Sequence, residues 1–216
     1  MFDRLFGRKT PLSPEPGVPV VRNVTIGRTV MLDELAWRRF GAETHFALDR
    51  DTLQIVAQGL VTLDAGGFVH RFYTDDDVMF QLVTDDREGA AVTDISLFIP
   101  WSSAYPTTRT ERQAWIRRIS AATFAGPGLP VFQRYWFGED AGDQAPVTFW
   151  EDIHDDRDGR VDRRIFQSCM LYHREIGEGL GEGRELLLAI EQEPDGEAVS
   201  HELMLGVPLE VGEFRV

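Results

Sequence analysis

The chain has 216 residues, 22 basic and 36 acidic, for a formal charge of −14, with 43% hydrophobic and 27% charged residues. That composition excludes a collagen-like or wholly disordered chain, and a domain of this size buries roughly 70% of its unfolded surface. No stretch approaches the ~20 apolar residues of a membrane-spanning helix, and the acidic balance repels phosphate backbones, so no nucleic-acid partner is expected.

Residues 1–9 set Arg4, Arg8 and Lys9 against Asp3. Phe2, Leu5 and Phe6 fall at i, i+3 and i+4, one face of a helical turn. Residues 10–20 (TPLSPEPGVPV) hold four prolines and cannot join a core, so they read as a tether. The start MFDRLFGRK has no apolar h-region of a signal peptide, and the lone thiol Cys169 fits a reducing compartment. A cytoplasmic location is expected, with peripheral contact to the inner membrane through the tail as an option.

The folded part is expected over 21–216. Thr25–Val30 is a short candidate strand, and Asp33 is placed to cap a helix containing Leu35, Trp37 and Phe40. Over 52–64, Leu53, Ile55, Ala57, Val61 and Leu63 alternate onto one strand face. Gly66-Gly67 turns into a strand at Phe68–Tyr73, and Asp75-Asp76-Asp77 turns into another at Val78–Thr84. Val92–Ile99 follows, with Ile95, Leu97 and Ile99 facing inward. A second helix is expected within Pro106–Phe124, capped by Thr110 with Gln113 and striped by Trp115, Ile119 and Ala122. Strands resume at Val131–Phe137, Val147–His154, Val161–His173, Glu185–Gln192 and Ala198–Leu205, with a short one at Leu209–Phe214.

About two helices with nine or ten strands predict an α+β fold of mainly antiparallel sheet, as a single domain. There is an internal echo. Ala36-Trp-Arg-Arg39 resembles Ala114-Trp-Ile-Arg-Arg118, and Asp94-Ile-Ser-Leu-Phe-Ile-Pro100 resembles Glu202-Leu-Met-Leu-Gly-Val-Pro208. Two diverged helix-plus-sheet halves, 21–105 and 106–216, would explain both, although their spacing is unequal.

Catalytic signatures are scarce. The run Gly177-Glu-Gly-Leu-Gly-Glu-Gly183 fits no phosphate-loop register, and its glutamates would repel phosphate, so it reads as a connector. His154-Asp-Asp-Arg-Asp-Gly159 lacks carboxylates at the first and twelfth positions of a calcium loop and reads as a hairpin turn. No histidine pairs with another at metal-ligand spacing, so neither a metal nor a cofactor is expected. Cys169 reads as a buried core residue. The best enzyme or ligand candidate is His70 with Asp75, Asp76 and Asp77 one turn away, where imidazole and carboxylates would converge. The simpler alternative packs His70 between Phe68 and Phe72 and leaves the aspartates to solvate a turn.

The start Met1-Phe-Asp-Arg-Leu-Phe-Gly7, the proline-rich linker, His70-Arg-Phe-Tyr-Thr-Asp-Asp76, Leu171-Tyr172 before the glycine-rich connector, and the closing Gly206-Val-Pro-Leu209 carry a resemblance. Over nearly its whole length the chain resembles the YjfK-like family of bacterial proteins, a domain of unknown function. The resemblance implies a cytoplasmic protein without assigned activity. It also implies a gene neighbourhood with a phage-shock-protein-A-like membrane-remodelling protein, a small multi-pass membrane protein and a glutathionylspermidine-synthase-like ligase, and hence membrane stress or envelope maintenance.

The function expected first is a non-enzymatic adaptor. Its acidic body would dock a protein partner such as that phage-shock-protein-A-like one, while Phe2, Arg4, Leu5, Phe6, Arg8 and Lys9 reach the membrane or the partner. The rival is a small-molecule enzyme or sensor, metal-assisted or polyamine-related, using His70 and Asp75–Asp77.

Overall fold

In a computed structural model, the structure describes residues 17–64, 66–138, 142–177 and 183–216. The expected contact residues Phe2, Arg4, Leu5, Phe6, Arg8 and Lys9 lie outside the described residues. In chain order come β1 (Thr29–Leu32), helix α1 (Leu35–Arg38), β2 (Thr52–Gln54), β3 (Ala57–Thr62), β4 (Phe68–Tyr73), β5 (Met79–Thr84) and β6 (Val92–Ala104). Helix α2 (Arg109–Ser120), β7 (Thr123–Ala125), β8 (Val131–Arg134), β9 (Val147–His154), β10 (Arg163–Ile176), β11 (Gly183–Pro194), β12 (Ser200–Pro208) and β13 (Phe214–Arg215) follow.

The strands β3 to β6 form one antiparallel meander and β9 to β12 another. Pairing of β3 with β9 and of β6 with β12 joins the two into a closed barrel of eight strands. This overturns the expected α+β fold: the molecule is mostly β, and strands from both sides of residue 105 close one barrel instead of forming helix-plus-sheet halves. The echoing segments 94–100 and 202–208 are neighbours in it, with Phe98 opposite Gly206. Beyond the end of β9, β8 takes over the edge of β10 and carries β7, while β1 lies between β2 and β13 in a separate small sheet.

Register fixes which side chains point inward. Val61, Val69, Met79, Phe98, Phe149, Cys169, Leu188 and Met204, one from each barrel strand, meet in a single buried cluster. Their sequence neighbours point out, because successive strand residues alternate between faces. The outer face is not left to water. Ile95, Leu97, Phe80, Leu82, Leu187 and Leu205 pack in a second cluster with Trp37, Phe46, Leu53 and Phe214 of the N- and C-terminal layer and with Ile119 and Phe124 around α2. Thus Ile95, Leu97 and Ile99, expected to face the interior, face this outer shell, and Phe98 and Ser96 take the inside. The alternation over 52–64 likewise breaks at Ile55–Val56: Leu53 and Ile55 join the shell, and Val61 joins the barrel interior.

Three polar anchors tie the shell to the barrel. The buried Glu185 carboxylate accepts from the Thr44 hydroxyl at 2.9 Å, from the His45 and Phe46 amides at 2.5 and 2.9 Å and from Arg174 Nε at 2.6 Å. Arg112 on α2 donates to Glu191 at 2.8 Å, and the Tyr172 hydroxyl donates to the Ile119 carbonyl at 2.9 Å. Asp33 accepts from the Leu35 amide at 3.0 Å, but the N-cap position of α1 is Glu34 and the helix runs for only four residues, ending before Phe40. The capping box of α2 is Thr108 with Glu111, not Thr110 with Gln113. Both spacings are present in the sequence, and a carboxylate in the first turn gains from the helix dipole where an amide does not. No helix of the described residues is long and apolar enough to cross a membrane.

The Phe98–Gly206 pair is a large-against-small fit that a wider residue would break. A Cβ on Gly206 would lie 2.5 Å from the Phe98 ring and 3.0 Å from the Leu97 carbonyl oxygen. Gly206→Val is expected to lower stability by about 1–3 kcal/mol, the usual cost of overpacking. The urea midpoint measures it, and an unchanged midpoint would show that the β6–β12 seam can yield.

Candidate functional site

Midway along the barrel, polar side chains from four strands meet inside it. Arg71 on β4 donates through Nη1 to Glu151 Oε2 on β9 at 2.9 Å and to Gln167 Oε1 on β10 at 2.7 Å. Its Nε donates to Gln81 Oε1 on β5 at 3.0 Å. Glu151 also accepts from the Tyr73 hydroxyl at 2.7 Å and from Gln167 Nε2 at 2.5 Å. Arg71 and Glu151 are 2% and 0% exposed, so neither charge is met by water, and each has to be met by the other. Burial works against the Arg71 charge, but Glu151 foremost, then Tyr73 and Cys169, outweigh it and hold the guanidinium above its ordinary value. Burial, with Glu151 behind it, pushes the Tyr73 hydroxyl well above its usual range.

Strand β3 lies between β4 and β9, and the two charges meet across it because residue 59 is glycine. Gly59 stands opposite Arg71 on one side and Ile153 on the other. A Cβ there would lie 1.8 Å from Glu151 Oε1.

This polar layer divides the interior into two cavities. One, of about 450 Å³, is lined by residues at one end of every strand pair: Val69 and Arg71 of β4, Gln81 and Val83 of β5, Phe149 of β9, Leu171 of β10, Leu186 and Leu188 of β11. Arg71 and Gln81 are its floor, and its walls are aliphatic and aromatic except for the buried Ser96 opposite Gln81, whose hydroxyl donates to Asp94 at 2.9 Å. Tyr135, Phe137, Asp94 and Arg184 stand at its rim, with Tyr135 40% and Phe137 53% exposed. The other cavity, of about 780 Å³, lies at the opposite ends of the same strands beneath Tyr73, Ile153, Ile165 and Met204, with a rim of mixed charge that includes Asp155, Arg163 and Glu202. The first is the candidate site, since apolar walls with a few polar groups on one side are the usual make-up of a small-molecule pocket.

The sequence-expected residues lie elsewhere. His70, next to Arg71, points to the opposite face of β4, where it is fully buried and its Nε2 meets the Thr84 hydroxyl at 3.1 Å. Asp76 binds Arg50 and the Thr74 hydroxyl at the far end of the strand. His70 is instead close to the turn holding Asp86, so the structure does not bring it together with Asp75, Asp76 and Asp77. Cys169 is fully buried in the barrel interior, and burial pushes its thiol up to about 12. Arg71, Gln81, Glu151 and Gln167 are not singled out by the sequence reading. Their signal is a polar residue in mid-strand between apolar ones, as in Phe68-Val-His-Arg-Phe-Tyr73 and Val147-Thr-Phe-Trp-Glu-Asp-Ile153.

Two outcomes test this geometry. Glu151→Gln strands a buried guanidinium and is expected to cost about 3–5 kcal/mol in urea unfolding, while Arg71→Met with Glu151→Leu recovers most of the loss. A double variant as unstable as the single one would mean that the layer contributes more than charge balance. His70 gives a pH signature: burial lowers its pKa from 6.5 to about 4. Between those values the unfolded chain binds a proton that the folded chain refuses, so stability falls as pH drops through that window, by about 3 kcal/mol. His70→Gln should lack that part of the acid slope, and an unchanged slope would remove His70 as its source.

No solved structure matches the chain significantly. It is similar to the "Uncharacterized protein YjfK" of Escherichia coli (strain K12), 26% identical over 182 residues that cover 82% of this chain and 80% of the relative. The family model described as "Protein of unknown function (DUF2491)" matches residues 1–215. The chain therefore belongs to the DUF2491 family, in keeping with the YjfK-like resemblance of its motifs.

Proposed function

We propose that the protein is a binding protein for a small, largely apolar molecule held inside the barrel above Arg71. The observation that carries this reading is the cavity of about 450 Å³, largely apolar on its walls with a few polar groups at its floor and rim. That volume falls within the 300–1,000 Å³ of ordinary ligand pockets, and an eight-stranded barrel is just wide enough for one small ligand. The closed hydrogen-bonded wall supports the reading physically. A rigid cavity does not have to be ordered when the ligand arrives, so less of the binding energy is lost.

An adaptor role, expected first from the sequence, rests on the charge of −14 and on residues 1–20. A barrel that binds a ligand and docks a partner, such as a phage-shock-protein-A-like protein, would combine both readings. The pocket is the better supported half, because it is built from fixed side chains rather than from net charge.

An environment-sensitive naphthylamine dye is expected to brighten and shift to the blue on mixing with the protein. Dye at about 100 times its Kd should stabilise the fold by ~2.7 kcal/mol, raising Tm by several degrees. Leu188→Trp, which fills the cavity, should abolish both effects, and Val131→Ser, on an outer residue 61% exposed, should abolish neither. Dye binding untouched by Leu188→Trp would place the dye elsewhere and sink the reading.

A further inference from the structure

The head group of such a ligand can be read from the cavity floor. Arginine carries only donors, so Gln81 must turn its oxygen toward Arg71 Nε, and its Nε2 amino group is left on the other side. That amino group has no hydrogen-bond partner among the described residues, and neither has Nη2 of Arg71. Both residues line the cavity, and neither atom is among the fully sealed polar atoms of the core. The floor therefore offers two N–H donors without a hydrogen-bond partner among the described residues, on Arg71 and on Gln81, in largely apolar surroundings, and an unmatched donor is costly there.

The charge at the floor is already balanced. Arg71 is neutralised by Glu151 at 2.9 Å, and Gln81, Gln167 and Tyr73 are uncharged or held uncharged by burial. At the rim Arg184 is paired with Glu175 at 3.2 Å, while Asp94 adds a negative charge. A carboxylate seated on the floor would bring an uncompensated charge into a largely apolar cavity whose one cation is already paired with Glu151, and its desolvation would not be repaid. A neutral acceptor brings no charge and still satisfies the two donors.

We infer that the cavity selects an apolar molecule bearing a neutral carbonyl-type acceptor, an ester, ketone or amide, whose oxygen takes hydrogen bonds from Arg71 Nη2 and Gln81 Nε2, and that it rejects the corresponding carboxylate. This rests on the ligand-binding reading of the same cavity. It names the part of the ligand that the reading leaves open.

The test is displacement of the naphthylamine dye by three molecules with matched chains: methyl decanoate, decanoate and decane, at a pH where decanoate is ionised. Methyl decanoate should bind about tenfold more tightly than either of the others, the factor expected for roughly one net hydrogen bond. Arg71→Met with Glu151→Leu removes the guanidinium donor together with its counter-charge and leaves the floor neutral, so it should cut the advantage of the ester over decane. Decanoate binding as tightly as the ester, or an ester no better than decane, would overturn the inference and leave the pocket intact. Failure of the dye and of all three molecules would overturn the pocket and the inference together.

Discussion

The ion pair between Arg71 and Glu151 is the constraint around which the barrel is organised. The two residues are 80 positions apart in sequence, one on each meander, and they meet at 2.9 Å inside the wall. A buried charge without its partner costs several kcal/mol, so arrangements that separate them are penalised. Because side chains alternate along a strand, slipping β9 against β3 by one residue would turn Glu151 outward and leave Arg71 alone. The pair therefore acts as a register pin for the β3–β9 seam, one of the two seams that no hairpin dictates. Gly59 belongs to the same device, since any side chain there would occupy the space in which the carboxylate sits.

Closure around that pin explains the rest of the layout. A barrel of eight strands has an inner face to fill and an outer face to shield, and this chain shields much of the outer one with its terminal layer and α2. Consequently many strands are buried on both sides. In β5 (MFQLVT) five of the six residues are buried, and in β11 the run Glu185–Glu191 is buried throughout. The outer shell is then held by the few polar groups that can be satisfied there, above all Glu185, whose carboxylate collects donors from the 44–46 segment and from Arg174.

That double burial also decides how much was legible in the sequence. Strand positions were readable where turns punctuate them: Phe68–Tyr73 and Val147–His154 match β4 and β9 residue for residue. Which face is inside was not readable, since Leu97 and Phe98 are equally apolar and only the global fold assigns one to the shell and the other to the interior. Closure was not readable either. An open meander and a closed barrel share one hydrophobic pattern, and the β3–β9 and β6–β12 pairings join strands about a hundred residues apart with no local signal. The site was missed for a related reason. A lone arginine or glutamate in a strand ordinarily marks the solvent side, and His70, with the more familiar site chemistry, stands one residue from Arg71 and so faces the other way.

The same layer that pins the register gives the cavity its chemistry. A barrel this narrow, filled only with hydrocarbon, would have no preferred ligand orientation. A polar layer across its middle makes one end of each cavity different from the other. The balance of one cation with one anion means that the layer orients dipoles without attracting ions. The surplus of negative charge, 36 acidic against 22 basic residues, acts in the same direction over a longer range, because an acidic protein lowers the local concentration of anions and leaves neutral molecules alone. Two features of separate origin, the stoichiometry of a buried network and the composition of the whole chain, thus point to the same class of ligand. The first decides what can sit in the barrel, and the second what reaches its rim.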